Sequence, residues 1–451
     1  MDAETLARIQ FGLTAAFHFI FPPISIGLGV ILVLLEAAYL KTKDRTWELA
    51  TKFWVKIFAI VFAVGVATGI VMEFQFGTNW SVYSRFVGDI FGSALAAEGI
   101  FAFFLESGFL AVLVFGWNRV SPKVHFLSTI MVMLGSHFSA IWIIVANSWQ
   151  QTPSAYKIVG EGVFRRAEIT DFWGLVFNPS SMDRLIHTVV ASWATGAFFV
   201  LSVSAYYLLK RKHVDVANAS LRVAIPFALV AALLQPITGH SSVAGVAKNQ
   251  PAKLAAFEGH YDSSKPMDLV LFGWTNPDTG QTTALRIPGM ASWLLYQDAS
   301  RPVTGLDRFP KEDRPPVAWV FQTYHLMVGV GMLMIALAAL AAFRYRTGKL
   351  PDCTLLLKAL VVAVALPHIA NQMGWLSAEL GRQPWIVYGL LRTSEGLSKV
   401  VPASMVLTSL ILFSTIYLML FALFLFLLDR KIKEGPTLEM ASKRSDRGLI
   451  P

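Results

Sequence analysis

Residues 9–40 read IQFGLTAAFHFIFPPISIGLGVILVLLEAAYL. About twenty helical residues cross the roughly 30 Å of bilayer hydrocarbon. This run is longer than that and almost wholly apolar, so it predicts a membrane-spanning helix. His18 lies about one-third of the way along it. Pro22-Pro23 follow, where the fixed proline ring bends a helix.

Working outward, further runs of the same kind lie at roughly 52–75, 94–116, 124–147, 183–209, 221–239, 317–343, 354–378 and 403–428. The alternation of a β-barrel is absent, so the backbone is satisfied in lipid by helices. The expected fold is an all-α polytopic membrane protein with about nine transmembrane helices. Composition agrees. The 451 residues are 55% hydrophobic and only 15% charged, and mean hydropathy is +0.55, which excludes an ordinary soluble enzyme and a disordered chain. The single cysteine, Cys353, excludes an intrachain disulfide framework, a four-cysteine zinc site and an Fe–S cluster held by this chain alone. No cleavable signal peptide is expected, because Asp2 and Glu4 open the chain and the first apolar run is too long.

The net charge of +9 reflects basic loops. Lys41, Lys43 and Arg45, then Arg119 and Lys123, then Lys210, Arg211 and Lys212, then Arg344, Arg346 and Lys349 occupy alternate connections. Arg430, Lys431, Lys433, Lys443 and Arg444 follow the last run. With nine spans all of these fall on one side. The positive-inside rule makes that side cytoplasmic, with the N-terminus outside and the C-terminus inside. No basic patch carries a nucleic-acid-binding motif, so no nucleic-acid partner is expected. The expected division is 1–240 for helices 1–6, 241–316 for a long outer loop, 317–430 for helices 7–9 and 431–451 for a cytoplasmic tail.

Ionisable side chains inside a membrane are costly and mark function by default. In the expected orientation His18, Glu98, His187, Met327 and Glu379 all fall in the outer half, on five different helices. Histidine, methionine and carboxylate can ligate iron, and heme iron is commonly held by His or by a His/Met pair. Clustering at one depth therefore points to several hemes near the outer surface. Glu98 and Glu106 stand eight residues apart, within about 80° on one face of an ideal helix; the deeper Glu106 suits a proton relay. Blander readings stand beside these. A lone membrane histidine can simply bond a neighbouring helix, as His137 and His368 also could. Met327 could be packing, and Glu379 could merely end a helix. A heme–copper centre is not expected, since no histidines are adjacent or spaced i, i+4 within a span.

Several runs resemble subunit I of the cytochrome bd-type quinol oxidases. They are Arg8-Ile-Gln-Phe11 with Thr14-Ala-Ala-Phe-His18, and Gly65-Val-Ala-Thr-Gly-Ile-Val-Met-Glu-Phe-Gln-Phe-Gly-Thr-Asn-Trp80. Ala97-Glu98-Gly99, Phe103-Phe-Leu-Glu-Ser107, His187-Thr188-Val189 and Gln250-Pro-Ala-Lys-Leu-Ala-Ala-Phe-Glu258 follow. The most specific is Gly374-Trp-Leu-Ser-Ala-Glu-Leu-Gly-Arg-Gln-Pro-Trp385. The similarity covers nearly the whole chain.

The resemblance implies a terminal oxidase in the bacterial cytoplasmic (inner) membrane that oxidises ubiquinol or menaquinol and reduces O2 to water. It implies a low-spin heme b held by His187 and Met327. It implies a high-spin heme b and a heme d, or a third heme b, with His18 and Glu379 as axial ligands. Glu98 would lie beside or coordinate the oxygen site, and Glu106 would lie on the proton route. Lys253 and Glu258 would bind quinol in the outer loop, which is short for the family. Trp375 and Arg382 would support the hemes. A partner similar to subunit II is implied, and a small single-helix subunit can accompany it. One departure stands out: the family usually has arginine two residues before the heme methionine, where this chain has His325 within Tyr324-His-Leu-Met-Val328. Rival classes are a heme b electron-transfer anchor without oxygen chemistry, and a transporter using Glu98 and Glu106.

Overall fold

The computed structural model describes residues 1–436. Residues 437–451, with Lys443 and Arg444 and most of the expected tail, lie outside the described residues. Among the described residues nine segments are long and apolar enough to cross a membrane: Ala3–Thr42 (span 1), Arg45–Thr78 (2), Gly88–Phe115 (3), Pro122–Gln151 (4), Ser181–Lys210 (5), Val214–Asn249 (6), Lys311–Arg346 (7), Thr354–Leu380 (8) and Ala403–Glu434 (9). Each expected apolar run falls on one of them.

Local chemistry sets their ends. Asp2 caps span 1 by accepting from the Thr5 N–H at 2.7 Å, satisfying a donor that a first turn leaves free. Span 1 breaks after His18 and restarts at Phe21. Pro22 and Pro23 occupy the first turn of the new helix, where a missing N–H costs little. Span 6 carries Pro226 and Pro236 within it and runs on to Asn249, instead of ending near 239. Its last turns are polar, so hydropathy loses the helix before the backbone does. Pro251 then disfavours helical backbone at the residue before it, and Gln250 is non-helical at φ −141°.

Spans 1, 5 and 6 are the most buried, and spans 3, 7 and 9 the least. At the centre, spans 1 and 5 meet backbone to backbone. A Cβ on Gly27 would lie 2.8 Å from the Gly196 Cα, so only glycine permits this approach.

The two sides of the bundle differ. The four connections that carry the basic clusters are short. The opposite side is covered by folded connections: hairpins Tyr156–Val159 with Arg166–Ile169, Leu269–Asn276 with Gln281–Ile287, and Trp385–Val387 with Leu391–Arg392. The connection between spans 6 and 7 begins with a short helix, Pro251–Glu258, ended by Gly259 at φ +58°. Positive φ suits glycine at this position.

Candidate functional site

One cavity of about 1160 Å³ opens among the spans, and all ten residues to which the resemblance assigns roles line it: His18, Glu98, Glu106, His187, Lys253, Glu258, Met327, Trp375, Glu379 and Arg382. That exceeds the roughly 300–1,000 Å³ of an ordinary small-molecule site.

His18 and His187 are held in the same way. His18 Nδ1 lies 3.0 Å from Thr68 Oγ1, and His187 Nδ1 lies 2.9 Å from Thr238 Oγ1. Each threonine hydroxyl already donates to its own helix, Thr68 to the Val64 carbonyl at 2.9 Å and Thr238 to the Leu234 carbonyl at 3.1 Å. The hydroxyl must therefore accept from the ring. The proton sits on Nδ1 and the Nε2 lone pair remains for a metal, the arrangement a second shell imposes on a ligating histidine. Glycines make room for both rings. A Cβ on Gly69 would lie 3.2 Å from His18 Cε1, and one on Gly239 would lie 3.5 Å from His187 Cε1. Met327 Sδ packs against Gly374, where a Cβ would come within 2.7 Å of it.

Span 3 is not a plain α-helix. Gly99–Phe103 forms a π turn between Glu98 and Glu106. A π turn advances less per residue, which brings the two carboxylates closer to alignment than the 80° of an ideal helix. Both reach span 4. Ser139 donates to Glu98 at 2.6 Å and Ser136 donates to Glu106 at 2.5 Å. Spans 3 and 4 touch here, since a Cβ on Gly135 would lie 2.9 Å from Glu106 Cβ.

A charge cluster closes the folded side of the cavity. Arg382 pairs with Glu379. The other Glu379 oxygen accepts from Asn147 at 3.1 Å and from Gln151 at 3.2 Å. Arg184 donates to Asn147 Oδ1 at 2.5 Å. Lys253 donates to Gln151 Oε1 at 2.5 Å. Burial, with the Arg184 and Arg382 cations beside it, pulls the Lys253 ammonium well below the usual lysine range. Two guanidinium cations and a lysine whose ammonium form is disfavoured thus surround one carboxylate at the cavity wall.

Glu258 lies elsewhere. Five residues along a helix turn through about 500°, so Lys253 and Glu258 leave opposite sides of their short helix. Glu258 accepts from the Val270 N–H at 2.9 Å, and its carboxylate is 3.8 Å from His325 Nε2. Burial pushes the Glu258 carboxyl up to about 7, against the Val270 hydrogen bond, which lowers it. His325 faces two carbonyls, Phe321 at 2.8 Å and Val270 at 3.2 Å, and so turns away from the iron-ligand set. Phe257 stacks on Tyr324 at 4.4 Å and anchors the short helix to span 7.

These donors fit heme. Among the described residues no three His, Cys, Asp or Glu groups converge on one point, so no single protein-ligated metal centre is built. Separate axial ligands along a wide apolar cavity suit planar macrocycles instead. The surplus of buried cations calls for anions, and heme propionates are carboxylates. Arg382 Nε is buried without a partner, a donor left over for such a group. His137 is no ligand: its Nδ1 donates to the Met133 carbonyl at 2.8 Å, and its Nε2 accepts from Trp193 at 3.0 Å.

Sequence reading missed Thr68, Thr238, Arg184, Asn147, Gln151, Ser136 and Ser139. Thr68 sits between the glycines of Gly65-Val-Ala-Thr-Gly69. Two glycines one helical turn apart could have marked a face crowded by another group. Nothing in sequence links Thr238 to His187.

The chain is similar to known proteins along nearly its whole length. Residues 6–436 match the family described as cytochrome bd terminal oxidase subunit I. A cytochrome bd ubiquinol oxidase subunit 1 of Bacillus subtilis (strain 168) is 40% identical, over 96% of this chain and 94% of that protein. A cytochrome bd-II ubiquinol oxidase subunit 1 of Escherichia coli (strain K12) is 34% identical, over 97% of both. A chain in the structure of the bd oxidase from Geobacillus thermodenitrificans superposes with a TM-score of 0.89 at 29% identity, covering 96% of this chain and 99% of that one. The chain belongs to the cytochrome bd terminal oxidase subunit I family.

Proposed function

We propose that this chain is the heme-bearing subunit of a quinol:oxygen oxidoreductase that makes a proton-motive force without pumping. The matched relatives include ubiquinol oxidase subunits and a subunit described as a putative menaquinol oxidase, and the reading covers both quinols. The basic connections lie in the cytoplasm and the folded connections outside, in a bacterial inner membrane. His187 and Met327 hold a low-spin heme b. His18 and Glu379 serve a high-spin heme b and a heme d, or a third heme b. When bound, the hemes carry electrons from quinol to oxygen and supply the iron that binds it.

The chain's own residues handle binding and protons. Quinol docks by the outer connection near Glu258. A carboxyl brought to about 7 by burial is half ionised near neutral pH and so can take a quinol proton. Arg184, Lys253, Arg382 and Trp375 hold and orient the hemes. Protons for water come from the cytoplasm to Glu106 and Glu98, held in line by Ser136 and Ser139. Quinol protons leave on one side and oxygen takes protons from the other, so turnover separates charge. The least buried spans, 3, 7 and 9, offer surface to a subunit II and to a small single-helix subunit.

The observation that carries the reading is the pair of threonine-tied histidines presenting Nε2 to one cavity. The test is a reduced-minus-oxidised spectrum of the purified complex, then carbon monoxide. A far-red chlorin band shifted by carbon monoxide establishes heme d, and heme b bands with a carbon monoxide response establish the all-b form. Heme b without a response would leave an electron-transfer anchor, and absence of heme from a folded preparation would overturn the reading.

A further inference from the structure

The side of the bundle with short connections holds a buried acid–base pair that the sequence reading did not single out. Glu36 of span 1 and His125 of span 4 are 1% and 2% exposed. Their Oε1 and Nδ1 are 2.6 Å apart. His125 Nε2 lies 3.1 Å from the Leu113 carbonyl of span 3. Thr129 donates to the other Glu36 oxygen at 2.5 Å.

Both ring nitrogens thus face acceptors. Nε2 must carry a proton to bond a carbonyl. The 2.6 Å contact also needs a proton, on Nδ1 or on Oε1, because a bare nitrogen lone pair against a carboxylate oxygen repels. The contact therefore holds one proton shared between the two groups.

The position is the second observation. His125, Thr129, Ser136 and Ser139 fall within about 80° on one face of span 4. The upper two are the serines that hold Glu106 and Glu98. Val132 interrupts this face between Thr129 and Ser136, a rise of roughly 10 Å. Below the pair, Trp117 packs edge-on against His125 at 4.5 Å. Its indole N–H donates to Glu48 of span 2 at 3.1 Å, and Glu48 pairs with Lys52 at 2.6 Å. Lys52 lies 4.7 Å from the Trp117 ring centroid. Polar groups therefore reach from this surface to Thr129 and resume at Ser136 below the carboxylates of span 3, with the Val132 turn between them.

We propose that Glu36 and His125 form a one-proton store at the cytoplasmic end of the route to Glu106. The store gives its shared proton inward past Thr129 and is refilled from the side of Glu48 and Lys52. One proton enters for each that leaves, and no electron moves. This rests on the proton-route reading of Glu106 given above.

The test uses the whole purified oxidase in liposomes, with flash photolysis of its carbon monoxide adduct in the presence of oxygen. The rate of the voltage-generating proton-uptake phase is read in H2O and D2O. Glu36→Gln should keep the heme spectrum, slow this phase at least tenfold and raise its solvent isotope effect. Glu36→Asp should recover part of the rate. Glu106→Gln in parallel separates the two ideas. If Glu106→Gln slows uptake and Glu36→Gln, with an intact spectrum, does not, the store is overturned and the route stands. If Glu106→Gln is as fast as the wild type, the route itself is overturned. Should Glu36→Gln fail to assemble, Thr129→Val decides, since it removes only the inward hydroxyl. An unchanged uptake rate and isotope effect there would overturn the store.

Discussion

The short helix Pro251–Glu258 has two sides that live in different chemistry. On one side Lys253 joins Arg184, Arg382 and Glu379 in a network of charged hydrogen bonds. On the other side Glu258 has one backbone donor and a histidine at 3.8 Å. The first side is built to hold something fixed, because several charge-assisted bonds define one geometry. The second is built to change state, because a carboxyl pushed to about 7 gains and loses a proton at little cost near neutrality. One helix thus places a rigid charge cluster and a titrating group back to back.

Arg382→Ala should break the rigid side most severely. The Arg382 and Glu379 side chains are only 6% and 17% exposed, and removing one partner of such a buried pair costs about 3–5 kcal/mol. The heme-to-protein ratio and the thermal midpoint in detergent should both fall. Wild-type values of both would mean that the cation cluster is not what holds the hemes.

Glu258→Gln should leave heme content alone and lower the quinol oxidation rate about 100-fold, within the usual range for a lost general base. The sign of the pH dependence follows from the raised value. Only the ionised carboxylate can accept, so the wild-type rate should climb with pH through about 7 and then level. Glu258→Gln should be flat over that window. A stopped-flow series from pH 6 to 8 checks both, and a wild-type rise that survives in Glu258→Gln would assign the titration to another group.

Thr68→Val and Thr238→Val probe the histidines more gently. Loss of a partner behind a ligating histidine typically weakens metal affinity about 10–100-fold. Each variant should release its own heme more readily and spare the other, as read by heme retention after dilution. Simultaneous loss of all hemes in either variant would show that the threonines hold the helices and not the rings.

The contrast between the two sides also shows what sequence could and could not yield. All nine spans were legible because hydrocarbon thickness sets their length. The candidate site was legible because His18, Glu98, Glu106, His187, Met327 and Glu379 are exceptions inside apolar helices, and they line one cavity. The side of the short helix was hidden. In the run Gln250-Pro-Ala-Lys-Leu-Ala-Ala-Phe-Glu258 both charged residues look like loop residues, and the resemblance gave both to quinol. Their separation needed helical backbone from Pro251, which sends residues five apart to opposite faces. The π turn was hidden too, since nothing in Gly99–Phe103 breaks an α-helical pattern. Small polar partners such as Thr68, Ser136 and Gln151 are too common to stand out until a fold puts them beside a charge.

Lys253→Met gives the finest test of the division. The side chain is buried, and methionine keeps much of its length while removing the charge. If Lys253 serves the hemes, its cation favours the reduced, more negative state of a neighbouring heme. Removing it should lower that heme's midpoint potential in a spectroelectrochemical titration, while the KM for quinol stays near the wild type. The opposite pattern, a raised KM with unchanged potentials, would return Lys253 to the quinol site. It would also mean that the side chain leaves Gln151 when quinol binds. Pairing the variant with Glu258→Gln adds a second criterion. Two residues acting on separate ligands should give independent effects, whereas two residues on one quinol should show coupling beyond the roughly 0.5 kcal/mol scatter of independent sites.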